Sequence, residues 1–179
     1  MKRKIEISCN KNIVVRLLKQ SMVSTTYVSW MNDYDVVKFT NQKNLKHTFN
    51  SVKFYVKEKL ESEDELLLGF FSNNLHIGNI KIGPINFYNR NTQISYIVGN
   101  KNFWGTGIAT SVISYIVNYC FESLDLHKVS ALTYSNNIAS QKVLIKNNFI
   151  KEAIIKKQLF FENKFVDMFY FSKFRDDEK

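Results

Sequence analysis

Apolar positions recur along this chain with two periods, and the alternation of those periods lays out its elements. Within Asn12–Lys19, the run Ile13-Val14-Val15-Arg16-Leu17-Leu18 is rich in β-branched residues and predicts a first strand. Thr25–Asn32 and Ser51–Leu60 read as helices. In the second, Val52, Tyr55, Val56 and Leu60 form one stripe, with Asn50 or Ser51 as the N-cap. Leu66-Leu67-Leu68-Gly69-Phe70-Phe71 is continuously apolar, as expected of a strand covered on both faces. Asn73-Asn74 signals a hairpin before a strand over His76–Ile82, which the single proline, Pro84, ends. After a turn at Asn89-Arg90-Asn91, Thr92–Val98 alternates, with Ile94, Tyr96 and Val98 on one side and Gln93, Ser95 and Ile97 on the other.

The clearest helix runs from Gly107 to about Glu122, where Ile108, Ala109, Val112, Ile113, Ile116, Val117 and Cys120 recur at helical spacing. Lys128–Thr133 is a short strand. Asn137 caps a helix running to about Asn147, with Val143 and Leu144 on its inner side. Phe149–Phe160 and Phe165–Phe174 form two long strands joined at Glu162-Asn163-Lys164. No repeat, linker or composition shift divides residues 1–179, so the pattern predicts one α+β domain: a sheet with helices on its faces.

Composition sharpens this picture only in part. Hydrophobic residues make up 45% of the 179, enough for burial to outweigh chain entropy. Lys and Arg outnumber Asp and Glu by 25 to 16, a net +9 that favours an anionic ligand through long-range steering. The basic residues are scattered, Lys2–Lys4 being the one tight cluster, and no recognition helix or aromatic–basic platform is present. Nucleic acid is therefore not the expected partner. No apolar run approaches a membrane span, and Met1-Lys2-Arg3-Lys4-Ile5-Glu6 lacks the apolar core of a signal peptide. Cys9 and Cys120 are isolated, without CxxC spacing. The expectation is a cytoplasmic chain with reduced thiols and no metal site, in which Cys120 packs on an apolar helix face.

Chemistry concentrates at Asn102-Phe103-Trp104-Gly105-Thr106-Gly107-Ile108-Ala109-Thr110. Two glycines, one residue apart, precede a helix and leave main-chain N–H groups converging beside the positive end of its dipole, a phosphate-binding arrangement. A plain tight turn gives the same pattern. Asn79 and Lys81 share a face of their strand, opposite Ile80 and Ile82, and are candidates to line a cleft. His76 and His127 read as structural.

Taken together, Gly105-x-Gly107-x-Ala109 between a strand and a helix, then a strand, then Asn137-x-x-Ser140 with Phe149 nine residues on, resembles the GNAT superfamily of acyl-CoA N-acyltransferases. The likeness is to its RimJ/RimL branch, the ribosomal-protein-alanine N-acetyltransferases. Tyr27-x-x-Trp30-x-Asn32-Asp33 and His76-Ile77-Gly78-Asn79-Ile80-Lys81 extend it over roughly residues 12–174. The resemblance implies a mixed, mostly antiparallel sheet of six to seven strands flanked by about four helices, with a splayed strand pair that holds acetyl-CoA. The pantetheine arm would then lie along Tyr96, Ile97, Val98 and Gly99, and the diphosphate against the N–H groups of Gly105, Thr106, Gly107, Ile108, Ala109 and Thr110. Asn137, Ser140 and Lys142 would complete the cofactor contacts; Asn137 also serves as an N-cap, and the two roles are compatible.

The implied reaction is direct transfer of acetyl to a primary amine, with a strand N–H near Ile97 or Val98 meeting the thioester oxygen and an acid for the thiolate. The chain departs from the family pattern twice. Leu144 stands where many members carry a tyrosine acid, leaving Ser140 as the proton donor. The strand Thr92–Val98 also lacks a carboxylate base. A water relay, or a base from elsewhere, must then serve if a base is needed at all; His47, Asp33, Asp35 and Asp167 are the candidates, with His47 placed where the family builds its acceptor pocket. His47, Asn79 and Lys81 are the expected acceptor contacts. The expected acceptor is a small-molecule amine on an anionic carrier, such as a nucleotide-linked amino sugar of surface-polysaccharide synthesis. A protein N-terminus and a non-catalytic acyl-CoA-binding role are the alternatives, and dimers are common in the resembled family.

Overall fold

The computed structural model describes residues 6–10 and 13–175; Asn12, the Lys2–Lys4 cluster and the Cys9 side chain lie outside the described part. Eight strands form one sheet in the order β1-β2-β3-β4-β5-β6-β8-β7. They are β1 (Glu6–Asn10), β2 (Ile13–Leu17), β3 (Leu66–Ser72), β4 (Leu75–Asn86), β5 (Asn91–Val98), β6 (Lys128–Tyr134), β7 (Ile150–Phe161) and β8 (Lys164–Phe174). The helices are α1 (Thr25–Met31), α2 (Tyr34–Val37), α3 (Phe49–Glu61), α4 (Ile108–Glu122) and α5 (Ile138–Lys146). Neighbouring strands run antiparallel except β5 and β6, which are parallel. The α+β, mostly antiparallel expectation holds, with one more strand, β1, at the edge beyond β2.

Helices cover both faces. On one face α4 buries Val112, Ile113, Ile116, Val117 and Cys120 against Leu66, Leu68, Phe70, Ile80 and Ile82. On the other, Tyr27 and Trp30 of α1 and Val52 and Val56 of α3 pack on Leu67 and Phe71. Strand alternation sends consecutive β3 residues into opposite cores, which is why its sequence is apolar without a break. Each fully buried Leu, Ile or Val side chain contributes roughly 1.5–3 kcal/mol. Burial pushes the Cys120 thiol up to about 12, so it stays protonated and serves as packing.

Two local details differ from the sequence expectation, and a third concerns strand order, which the sequence pattern left open. The second amphipathic helix begins at Phe49, capped by Thr48. Thr48 Oγ1 accepts from the Ser51 N–H (3.1 Å) while Ser51 Oγ accepts from the Thr48 N–H (2.9 Å). Ser51 is thus the third-position partner of a capping box, not the cap. Second, β4 continues through Pro84 to Asn86. Its pairing with β3 ends at Leu66↔Ile82 and its register with β5 shifts between Ile82 and Ile85, so the proline removes no ladder bond. Third, β8 enters the sheet between β6 and β7, so the last hairpin is built from the edge inward. Both residues of the Asn73-Asn74 and Glu162-Asn163 turns adopt positive φ, the hairpin geometry that Asn favours.

Candidate active site

The site begins as a gap in the sheet. β5 pairs with β4 along its whole length, from Asn86↔Asn91 to Gly78↔Val98. With β6 it pairs only from Asn91↔Lys128 to Gln93↔Ser130, while β6 continues against β8 as far as Tyr134↔Met168. Beyond Gln93 the two strands part, leaving an open edge inside the sheet. Gly99 donates its N–H back to Ile77 O (2.9 Å), so antiparallel alternation turns the main-chain groups of Tyr96 and Val98 towards the notch. The Val98 carbonyl accepts the Trp104 indole N–H there (2.7 Å). Such an edge offers an extended ligand main-chain pairing.

Two expectations are corrected at this point. Ile97 pairs its main chain with Asn79, and the Gly99 N–H is taken by Ile77 O, so neither offers a main-chain N–H to the notch. Ile97 contributes its side chain to the cleft instead. Gly99 is glycine because Trp30 lies on it: an added Cβ would come within 2.1 Å of the indole ring. Of the two strand N–H groups expected to meet a thioester oxygen, those of Ile97 and Val98, the one that faces the notch is that of Val98.

Next to the notch, Gly105 (φ +75°) and Gly107 (φ +85°) form the turn into α4. A Cβ at either would meet no protein atom within 4 Å, so the glycines preserve outward space as well as backbone freedom. Gly107 is the N-cap of α4 and lacks a capping side chain. The Ser111 N–H bonds Gly107 O (3.1 Å), which leaves the N–H groups of Ile108, Ala109 and Thr110 without intrahelical partners. Thr106 uses its hydroxyl within the turn, donating to Phe103 O (2.8 Å). Open space, free amides and the positive end of a 15-residue helix fit a diphosphate. Ile108 itself is buried, so only its N–H is available, and Lys142 stands exposed on α5.

Across the notch, Asn137 Oδ1 accepts the Ser140 N–H (3.2 Å) as the cap of α5. Ser140 Oγ lies 3.0 Å from the Tyr96 hydroxyl, and both residues line the cleft. Burial pushes the Tyr96 phenol up to about 12, against the smaller opposing effect of that hydrogen bond. One hydroxyl hydrogen is used in the contact and the other remains, so the pair can present a donor whichever way it is arranged. Sequence reasoning placed Tyr96 here for its backbone and missed its hydroxyl; the 44 residues separating it from Ser140 carry no local signal. Leu144 is fully buried in the core and plays no part.

Beyond this pair opens a cleft of about 700 Å³. Lys46, His47, Asn79 and Lys81 line it, and no Asp or Glu does among the described residues. Asn32 fixes the His47 loop: its Oδ1 accepts the His47 N–H (2.9 Å) and its Nδ2 donates to His47 O (2.8 Å). His47 Nε2 is buried without a partner. Lys81 is held by Glu65, whose carboxylate also binds Lys59. Burial raises the Glu65 pKa, but the two ammonium groups outweigh it and hold the carboxyl below its ordinary value. Glu65 was not among the expected site residues.

The remaining base candidates lie elsewhere. Asp167 falls on the strand face opposite the cleft-lining Met168, where it accepts from Lys156 Nζ (3.0 Å) and the Lys157 N–H (2.9 Å). It is therefore neither a cleft base nor an acceptor contact; strand alternation directs it away. Asp33 and Asp35 hold Lys101 at 2.8 and 3.1 Å, also outside the cleft. Of the four candidates, only His47 reaches it.

A β-sheet opened between two parallel strands, with a glycine-lined anion cradle at one end and a hydroxyl pair beside it, defines the class of acyl-CoA-dependent transferases. The chain belongs to the acetyltransferase (GNAT) family, whose domain model matches residues 12–150. Among curated proteins it is similar to YoaA, an uncharacterized N-acetyltransferase of Bacillus subtilis (strain 168), at 32% identity over 84 residues, 44% of this chain. The match spans about half the length of that relative, 47%. The spermidine N(1)-acetyltransferase of Vibrio cholerae is 22% identical over 141 residues, 70% of this chain and 80% of that one. Among solved structures, RimL, a ribosomal L7/L12 alpha-N-protein acetyltransferase in complex with coenzyme A, superposes with a TM-score of 0.87 at 15% identity. That superposition covers 96% of this chain and 99% of RimL.

Proposed function

We propose that this chain transfers the acetyl group of acetyl-CoA to a primary amine of a small acceptor carrying neutral or anionic groups, for which a nucleotide-linked amino sugar is a fitting example. The observation that carries the acceptor class is the cleft wall: Lys46 and Lys81 line it and, among the described residues, no Asp or Glu does, Lys81 being paired with Glu65, which is not itself a lining residue. A polyamine offers only ammonium groups, and such a wall repels them.

Acetyl-CoA supplies an activated acetyl group as a thioester. The free amides of Ile108, Ala109 and Thr110 hold its diphosphate, and the main chain of Tyr96 and Val98 pairs with its arm. The Val98 N–H stands ready for the oxygen that gains charge as the amine adds. His47 Nε2, buried and unpartnered, takes the proton that the acceptor's ammonium must lose before the neutral amine can attack the thioester. Ser140 and Tyr96 hold a hydroxyl proton at the sulfur end of the notch for the departing thiolate.

The test is release of free CoA from acetyl-CoA across a panel of sugar-nucleotide amines, polyamines and N-terminal peptides. Amine-dependent release that is largest with the sugar nucleotides supports the reading. Release confined to polyamines overturns the acceptor class, release confined to peptides favours a protein N-terminus, and no release with any amine overturns the enzyme.

A further inference from the structure

Two sequence motifs remain without a role in this scheme: Tyr27-x-x-Trp30 on α1 and His76-Ile77-Gly78-Asn79 on β4. The structure brings them together. The His76 imidazole stacks on Phe71 (centroids 4.8 Å apart) and meets the edges of Trp30 (5.0 Å) and Tyr27 (5.4 Å). Its Nε2 lies 3.1 Å from the Gly78 carbonyl and 2.8 Å from Asn79 Oδ1. A carbonyl oxygen only accepts, so Nε2 carries the hydrogen and Nδ1, buried and unpartnered, is the bare nitrogen. Arg16 Cζ lies 4.1 Å from the Phe71 centroid; it is the charged group facing this box. Burial pushes the imidazole pKa down against its hydrogen bonds to Asn79 and Gly78, and the Arg16 charge adds a smaller push in the same direction.

An imidazole fixed in that tautomer dictates how Asn79 sits. The amide must turn its oxygen to His76, because an NH2 group there would set donor against donor. Its nitrogen is then left over. Asn79 is 5% exposed and lines the acceptor cleft, and its Nδ2 has no partner. An unpartnered buried donor at a cleft wall is unfavourable until a ligand supplies an acceptor atom.

We propose that the His76–Asn79 pair is a specificity device of the acceptor pocket. His76 is a positioning residue that locks the Asn79 amide with its N–H groups towards the acceptor, which must therefore present an oxygen acceptor, such as a phosphate, carbonyl or hydroxyl oxygen, near its amine. The proposal rests on the acetyltransferase reading above and sharpens its acceptor class. Recognition by a donor-only group also excludes polyamines at this position by chemistry, independently of the cleft's charge.

Nitrogen NMR of the histidine side chains tests the first half on the unmodified protein. His76 should show the neutral, Nε2-protonated form at neutral pH; an Nδ1-protonated ring or an imidazolium overturns the proposal. The second half is read from acceptor kinetics and from direct titration with glucosamine phosphate and spermidine as probes. Asn79→Asp puts an oxygen where the NH2 group stood and should weaken glucosamine phosphate about tenfold or more, through KM, while strengthening spermidine. His76→Phe keeps an aromatic ring in the box and removes the donor. It should raise the KM for glucosamine phosphate and leave that for acetyl-CoA unmoved. If either variant depresses both probes and acetyl-CoA together, the pair is merely structural and the proposal fails. Absence of acetyl-CoA binding by the unmodified protein would sink the transferase reading instead, while the NMR and the glucosamine phosphate titration still decide the pair.

Discussion

The two halves of this site are built from different material. On the cofactor side the working groups are main-chain: free amides at the start of α4, and the notch-facing edge of Tyr96 and Val98. On the acceptor side they are side chains from the end of α1, the His47 loop, the turn before β3, and β4, held by one another: Asn32 on His47, His76 on Asn79, and Glu65 on Lys81. Main-chain geometry binds any ligand with the right spacing of charge, so that half suits a shared cofactor. A side-chain wall changes its chemistry with each substitution, so the other half is where an acceptor is selected.

The sharpest way to break this contrast is at the α4 turn. Gly107→Val should abolish calorimetric binding of acetyl-CoA and also cost about 1–3 kcal/mol of stability, because φ +85° suits no β-branched residue. Gly107→Asn, which tolerates that conformation, should recover most of the stability without recovering the affinity, since its side chain fills the cradle. If both variants bind acetyl-CoA normally, the main-chain half of the comparison is wrong.

The hydroxyl pair lies on the seam between the halves and comes next. Ser140→Ala and Tyr96→Phe should each lower kcat about tenfold, with the double variant down by about a hundredfold or more. Acetyl-CoA affinity should change little in each. Because the Tyr96 phenol is pushed up to about 12, the protonated donor persists in alkali, and kcat should show no downturn as pH passes 10, the ordinary tyrosine value. A downturn near 10 would remove Tyr96 from the role.

On the acceptor wall, Lys81→Met should raise KM several-fold for phosphate-bearing acceptors and leave acetyl-CoA alone. Glu65→Gln releases both of its lysines and should cost about 1–3 kcal/mol. The sign of its pH dependence follows from a carboxyl held below its ordinary value. The Glu65 contribution is complete at neutral pH and is lost as pH falls below the usual carboxylate range through the lowered folded value. Urea denaturation of the unmodified protein and Glu65→Gln should therefore converge in acid. The smallest effect belongs to Asp167→Asn, which faces away from the cleft and should leave kcat and KM within about twofold.

Legibility follows the same division. Gly105-x-Gly107 is visible in the sequence because a positive-φ turn into a helix requires a particular residue at a particular position. The β3 run and the α4 stripe are visible because burial imposes a period on consecutive residues. Asp167 looked like a base in the sequence because a carboxylate on a late strand says nothing of which face it occupies relative to a cleft. Glu65 gave no signal in the sequence, since its lysine partners stand 6 positions before it and 16 after it. The extension of β4 through Pro84 was hidden for a similar reason: whether a missing N–H matters depends on whether a neighbouring strand lies opposite.

The amino-acid sequence by itself determined the order and type of the elements, the α+β class and the glycine turn into α4, because each is written in short-range spacing and backbone preference. The tertiary structure alone decided which side chains meet: Tyr96 with Ser140, His76 with Asn79 inside an aromatic box, and Lys81 with Glu65. Those meetings depend on strand order, on where β5 and β6 part, and on which face each residue presents, and these follow from packing the whole sheet rather than from any local stretch of chain.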